Sequence, residues 1–179
     1  MIQQALLVRH CQTTGQGPDS PLTRAGLEQA LHLAERLSDF PIDHLVSSPY
    51  SRARATIEPF ASLTGLFINI DERLAEHRLT PEPVNHWRDL VRRTFEDAEF
   101  RVAGGESGRE TLERAWKAIE SVLKGGYRLP LISSHGQLLG LVLNSIEPGF
   151  GYAGWCALGN PDIYLLERND KGDYAFRRP

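Results

Sequence analysis

Leu6-Leu7-Val8-Arg9-His10 is an apolar run that stops abruptly at a cation and an imidazole. Leu131-Ile132-Ser133-Ser134-His135-Gly136 repeats the arrangement far downstream. Short, bounded apolar runs of this kind read as strands buried on both faces. Each would deliver a histidine at its C-terminal end, the edge where open α/β sheets form their ligand crevice. A fold for this chain must therefore gather two imidazoles on one sheet edge. Arg9 beside His10 suits that edge to an anion, most simply a phosphoryl group.

The rest of the pattern alternates strands with helices. After the strand at 5–8, a loop at 13–21 is broken by Gly15, Gly17, Pro18 and Pro21. Thr23 is the expected N-cap of a helix reaching about residue 38, with Leu27, Ala30, Leu31, Ala34 and Leu37 as its apolar face. A strand at 44–47 leads to a helix at 51–63, in which Pro59 predicts a kink or an early end. A third strand spans 67–70. Residues 80–105 read as an insertion, a small lid with its own helix at 84–95 that covers a pocket. Ser107-x-x-Glu110 has capping-box spacing for a helix at 110–124. The strand at 131–134, a helix starting at 137–143, and late strands at 153–158 and 163–167 complete the chain. The alternation predicts an α/β fold, a three-layer α/β/α sandwich with a mostly parallel central sheet, as a single domain over 1–179.

Composition removes several classes of function. Net charge is −3 with no long basic run, which argues against nucleic-acid binding. No apolar stretch reaches membrane-spanning length and no leader is visible, so the expectation is a cytoplasmic protein without a membrane partner. Cys11 and Cys156 are far apart, with no CxxC and no disulfide density. The late strands can pair across a homodimer or close the sheet within one chain, and the sequence leaves both open.

The residues at the sheet edge support phosphoryl chemistry. A phosphoryl group in transfer spreads negative charge over three oxygens, so catalysis is largely positioning plus cationic stabilisation. Arg9 supplies one planar fork. Arg52, in Ser47-Ser48-Pro49-Tyr50-Ser51-Arg52, would lie in the first turn of the next helix, and His135 completes a cage. A neutral imidazole is a competent nucleophile, and Glu76, following a strand, is the best-placed carboxyl to protonate a leaving oxygen. The scheme requires neither metal nor cofactor.

These segments together resemble the histidine phosphatase superfamily, in its phosphoglycerate mutase-like branch. The resemblance rests on Leu7-Val8-Arg9-His10, Leu22-Thr23-x-x-Gly26-x-x-Gln29-Ala30, Ser47-Ser48-Pro49-x-x-Arg52-Ala53-x-x-Thr56, Leu74-x-Glu76, Gly105-Glu106-Ser107 and Ser134-His135-Gly136, in family order. It implies a phosphoglycerate mutase-like fold with His10 as the phosphorylated nucleophile. Arg9, Arg52 and His135 would clamp the phosphoryl group and Glu76 would be the proton donor. It also implies further oxygen contacts from the Gln137 N–H and from Gln16. The substrate would be a small phosphomonoester. The short insertion favours a phosphatase over a mutase, whose phosphoenzyme must be shielded from water.

The chain departs from the family at Cys11 and Gln12, where Gly and Glu are usual. Cys11 implies either a backbone open to any side chain or local strain, and its thiol beside Arg9 is expected to be acidified and oxidation-sensitive. A zinc site built from His10, His135 and Glu76 is disfavoured by the adjacent guanidinium groups. A cysteine phosphatase would need an arginine where Gly17 stands. A non-catalytic phospholigand-binding module stays open as an alternative, as does mutase-type transfer.

Overall fold

The computed structural model describes residues 3–179. Its strands are β1 (Gln3–Arg9), β2 (His44–Ser47), β3 (Ile68–Ile70), β4 (Pro130–Ser134), β5 (Asp162–Arg168) and β6 (Tyr174–Arg177). They form one sheet in the order β3-β2-β4-β1-β5-β6. The first four are mutually parallel, whereas β5 runs antiparallel to β1, and β6 antiparallel to β5. The helices are α1 (Arg24–Leu37), α2 (Ser51–Thr64), α3 (Trp87–Glu96), α4 (Gly108–Leu123), α5 (Gly136–Ile146) and α6 (Gly151–Cys156).

Period-two alternation along the central strands builds two cores. Ala5 and Leu7 of β1, with Ile132 of β4, face one core with Ala115 and Ile119 of α4 and Leu138 and Val142 of α5. Leu6, Val8 and Leu131 face the other, with Leu33 and Leu37 of α1 and Ile57 and Phe60 of α2. Helices on both faces explain the uninterrupted apolar runs at 5–8 in β1 and 130–132 in β4. Each fully buried leucine contributes roughly 1.5–3 kcal/mol, and their register holds Arg9 opposite Ser134. The result is the three-layer α/β/α sandwich.

Three local expectations are corrected. Residues 153–158 are not a strand: Gly151–Cys156 is helical, and the strand that pairs with β5 is Tyr174–Arg177. Of the two arrangements left open for the late strands, β5 and β6 show pairing within the chain, with β6 at the sheet edge. Pro59 does not end α2, which continues to Thr64. The buried stripe of α1 is Gly26, Ala30, Leu33, Ala34 and Leu37, while Leu27 and Leu31 are 55% and 58% exposed.

Gly26 sets that rotation. A Cβ there would lie 2.0 Å from the Gln12 carbonyl oxygen, so only glycine lets the first turn of α1 rest on the chain just after His10. Thr23 caps α1 by accepting from Gly26 N, and Gln29 Oε1 accepts from Gln12 N. Gly26→Ala is expected to cost about 1–3 kcal/mol through overpacking, seen as a melting point lowered by several degrees. An unchanged melting point would mean that the contact relaxes freely.

Candidate active site

The adjacent parallel strands β1 and β4 end side by side, with His10 N donating to Ser134 O at 3.1 Å. This brings together the two histidines that the sequence placed at strand ends. Their ring centroids are 5.2 Å apart at 63°. His10 Nδ1 lies 2.7 Å from the Cys11 carbonyl oxygen, and Arg52 Nε donates to His10 Nε2 at 3.2 Å. These two contacts fix one tautomer: the proton is on Nδ1 and the lone pair on Nε2. Burial, reinforced by the charges of Arg52 and Arg9, pushes the His10 imidazole down to about 4, even though its bond to the Cys11 carbonyl works the other way. His10 is therefore neutral near pH 7, with its Nε2 lone pair held by the Arg52 Nε donor.

Arg52 reaches this position from the first turn of α2 and is fully buried. Its Nη1 donates to Gln16 O at 3.0 Å and Gly17 O at 2.8 Å, pinning the loop after β1. Gln16 thus meets the site through its carbonyl, and its side chain is exposed. Arg9 is held from the opposite side, Nη1 donating to Leu158 O at 2.8 Å and Gly159 O at 3.2 Å. Gly136 allows α5 to approach it, since a Cβ there would stand 2.8 Å from Arg9 Nε.

His135 caps α5 and is fully buried. Its Nε2 is 2.7 Å from Ser48 Oγ, which also accepts from Tyr50 N. With the Ser48 hydroxyl proton directed to Nε2, the ring proton sits on Nδ1. Burial, then the charges of Arg52, His10 and the nearby arginines, push this imidazole well below its ordinary value. The Tyr50 ring closes the wall, edge-on to His135 at 5.0 Å and under the Arg52 guanidinium at 4.9 Å.

Glu76 occupies the N-terminus of α5. Its Oε1 accepts from Leu138 N at 3.0 Å and His77 N at 2.8 Å, and its Oε2 from Gln137 N at 3.2 Å. The Gln137 amide expected to meet a phosphoryl oxygen is thus given to Glu76. The carboxylate also lies close enough to Arg9 and Arg52 to favour their charged forms against burial.

Several buried nitrogens in this group have no hydrogen-bond partner in the protein: Arg9 Nε, Arg52 Nη2, His135 Nδ1 and Gln137 Nε2. Buried donors are almost always satisfied, so donors left over in one group make it a candidate site for an anion's oxygens. Among the described residues, no group of three or more His, Cys, Asp or Glu is arranged to hold a metal ion.

Cys11 differs from expectation. It is buried, its N–H donates to Thr56 Oγ1 at 2.8 Å, and burial pushes the thiol up to about 11. The side chain is an apolar filler and not an acidified thiol. No non-glycine residue among those described has positive φ, so Cys11 sits without backbone strain.

The sequence reading missed three supports. Asn160 Nδ2 donates to His10 O at 2.7 Å, from the turn that also holds Arg9. Thr56 donates to Arg52 O while accepting from Cys11 N, tying the α2 arginine to the residue after His10. Arg114 anchors the Glu76 segment from α4. Thr56 and Ser48 lie inside the matched motifs, whereas Asn160 and Arg114 carry no local signal.

Residues 5–177 match the family model of the histidine phosphatase superfamily (branch 1). "Probable phosphoglycerate mutase GpmB" of Shigella boydii is 37% identical over 175 residues, covering 86% of this chain and 78% of that protein. Mycobacterial glucosyl-3-phosphoglycerate phosphatase shares the fold with a TM-score of 0.82 at 23% identity, over 99% of this chain and 98% of its own. Bacillus stearothermophilus YhfR does so with a TM-score of 0.81 at 24% identity, over 98% and 95%. The match across almost the whole chain joins the geometry of two strand-end histidines between two arginines: this chain belongs to the histidine phosphatase superfamily, branch 1.

Proposed function

We propose that the protein hydrolyses small phosphomonoesters through a covalent phosphohistidine on His10, without a metal. The observation that carries this reading is the set of unpartnered buried donors around a neutral His10. Arg9 Nε, Arg52 Nη2 and His135 Nδ1 are suited to grip phosphoryl oxygens as charge shifts in transfer. A phosphoryl oxygen takes over the Gln137 N–H, which frees Glu76 Oε2 to hold a proton. Another phosphoryl oxygen takes over the Arg52 Nε donor, which frees the Nε2 lone pair of His10. His10 Nε2 then attacks phosphorus, the ester P–O bond breaks, and its electron pair leaves on oxygen, which takes the proton from Glu76. Glu76 then removes a proton from water as that water attacks the phosphohistidine, releasing phosphate and neutral His10.

The name carried by the Shigella relative supports a second reading, in which the phosphoryl group returns to another oxygen of a phosphoglycerate. The short segment at 80–105 favours hydrolysis. Within it, α3 is docked on α6 by Trp87 against Trp155, ring centroids 6.0 Å apart.

The test is turnover of an aryl phosphate in EDTA, with rapid quenching to trap phosphate on the protein. Acid-labile, base-stable phosphate mapped to His10 is the expected result. Turnover that depends on a divalent metal, or that proceeds with no phosphohistidine, would overturn the proposal. Interconversion of phosphoglycerates at a rate exceeding phosphate release would replace it with the mutase reading.

A further inference from the structure

The segment Gly105-Glu106-Ser107 takes no part in the phosphoryl cage, yet it is tied to Glu76 through α4. Arg114 of α4 lies 38 residues from Glu76 in sequence. Glu106 grips one edge of its guanidinium twice, Oε1 accepting from Nε at 2.6 Å and Oε2 from Nη2 at 2.8 Å. Bidentate pairing of this kind fixes orientation as well as charge. The rest of the guanidinium collects main-chain carbonyls: Nη1 donates to Arg73 O at 2.8 Å and Ala75 O at 2.6 Å, and Nη2 to Glu76 O at 3.2 Å.

Glu106 also holds the chain on the far side of Glu76. Its N–H donates to Arg78 O at 2.7 Å, and its Oε2 accepts from Arg78 N at 3.3 Å. A Cβ on Gly105 would stand 2.5 Å from Leu79 O, so glycine is what allows this approach. Ser107 then caps α4 in a capping box with Glu110. One ion pair thus fixes the backbone before and after Glu76.

The two side chains are only 21% and 16% exposed. Burial works against the Glu106 carboxylate, but Arg114 outweighs it and holds the group down at about 2, so the pair stays ionised at any working pH. Mostly buried ion pairs add little net stability, because desolvation offsets attraction. An ion pair built around one short loop is better explained by what that loop carries.

We infer that the Glu106–Arg114 pair is a positioning device for Glu76, holding its carboxyl at the N-terminus of α5 for proton delivery. The inference rests on the reading of Glu76 as proton donor in a phosphomonoesterase. Misplacing a general acid harms esters with poor leaving groups, which need the proton. It hardly affects an aryl ester, whose leaving anion is already stable. A purely structural defect would damage both alike.

The experiment compares kcat/KM for p-nitrophenyl phosphate and glycerol 1-phosphate in wild type, Glu106→Gln, Arg114→Lys and Glu76→Gln. Because kcat/KM ends at formation of the phosphoenzyme, the later hydrolysis step does not blur it. Glu106→Gln and Arg114→Lys are each expected to lose roughly 10- to 100-fold on the alkyl ester and less than about threefold on the aryl ester, a fraction of a full general-acid contribution. Glu76→Gln should show the same selectivity more strongly. Inorganic phosphate affinity should stay within about threefold, since the clamp is untouched.

Equal losses on both esters, or loss of phosphate binding together with activity in both variants, would assign the pair to the fold and overturn the inference. Wild type without EDTA-resistant turnover of either ester would instead sink the phosphatase reading, before any variant is made.

Discussion

His10→Ala is expected to lower phosphomonoester turnover by at least about 10⁴-fold, the scale on which loss of a covalent nucleophile collapses catalysis. Binding of inorganic phosphate should survive. Nε2 of His10 is the ring nitrogen that carries the lone pair, since Arg52 Nε donates to it and the Cys11 carbonyl fixes the opposite ring nitrogen. Removing the ring leaves Arg9, Arg52 and His135 in place, each held by contacts that do not involve His10. On the proposed mechanism, the donors that grip phosphate therefore remain while the attacking atom is lost. Arg52 Nε is left as a buried charged donor without an acceptor, at a cost of about 1–3 kcal/mol. A phosphate oxygen can satisfy that donor in the variant. Saturating phosphate should accordingly raise the melting point of His10→Ala by more than it raises that of wild type. Residual turnover above about a hundredth of wild type, with the same metal independence, would assign the attack to another group.

What the sequence revealed and what it concealed follow from the range of the interactions involved. The strand-end histidines were readable because Leu6-Leu7-Val8 and Leu131-Ile132 are buried on both faces, and such runs leave few alternatives. Thr23 and Ser107 were readable as caps because capping is a contact over three residues. The face of α1 was misjudged because its rotation is set by Gly26 resting on the Gln12 carbonyl, a contact with another part of the chain. Residues 153–158 were misjudged because a six-residue apolar run fits strand or helix equally well. Packing decides it: a Cβ on Gly154 would lie 2.6 Å from the Phe150 ring, which uses the space left by the missing side chain. Cys11 was misjudged for a third reason. Proximity to Arg9 in sequence suggested an acidified thiol, but desolvation dominates a fully buried group. Arg114 and Asn160 were invisible because each acts on a backbone carbonyl of a residue distant in sequence, and a carbonyl leaves no trace in residue type.

The second large effect is a steep loss of stability in mild acid, with a midpoint reached before ordinary carboxylates titrate. His10 and His77 are both buried and neutral, each depressed by burial from 6.5 to about 4, and His135 is depressed in the same direction. In the unfolded chain all three titrate near 6.5. Between pH 6.5 and 4 the unfolded state binds more protons than the folded one, so stability is complete above 6.5 and falls as the pH drops toward 4. At 1.36 kcal/mol per pH unit, His10 and His77 each account for a loss on the order of 3 kcal/mol across that window. Domains of this size are stable by only about 5–15 kcal/mol. Below 4 the paired Glu106 adds its own loss, since its folded carboxyl titrates near 2. Urea unfolding at a series of pH values should show a midpoint that falls steeply from 6.5 to 4. His77→Gln should shallow the slope by removing one of the titrating groups, even though its Nδ1 contact with Thr111 is altered. Inorganic phosphate should shift the whole transition to lower pH, because a bound anion stabilises the folded state and offsets the charge gained by His10 and His135. A midpoint flat down to pH 4.5 would mean that these imidazoles titrate in the folded protein as they do in the unfolded chain, and the downward shift assigned to His10 and His77 would have to be abandoned.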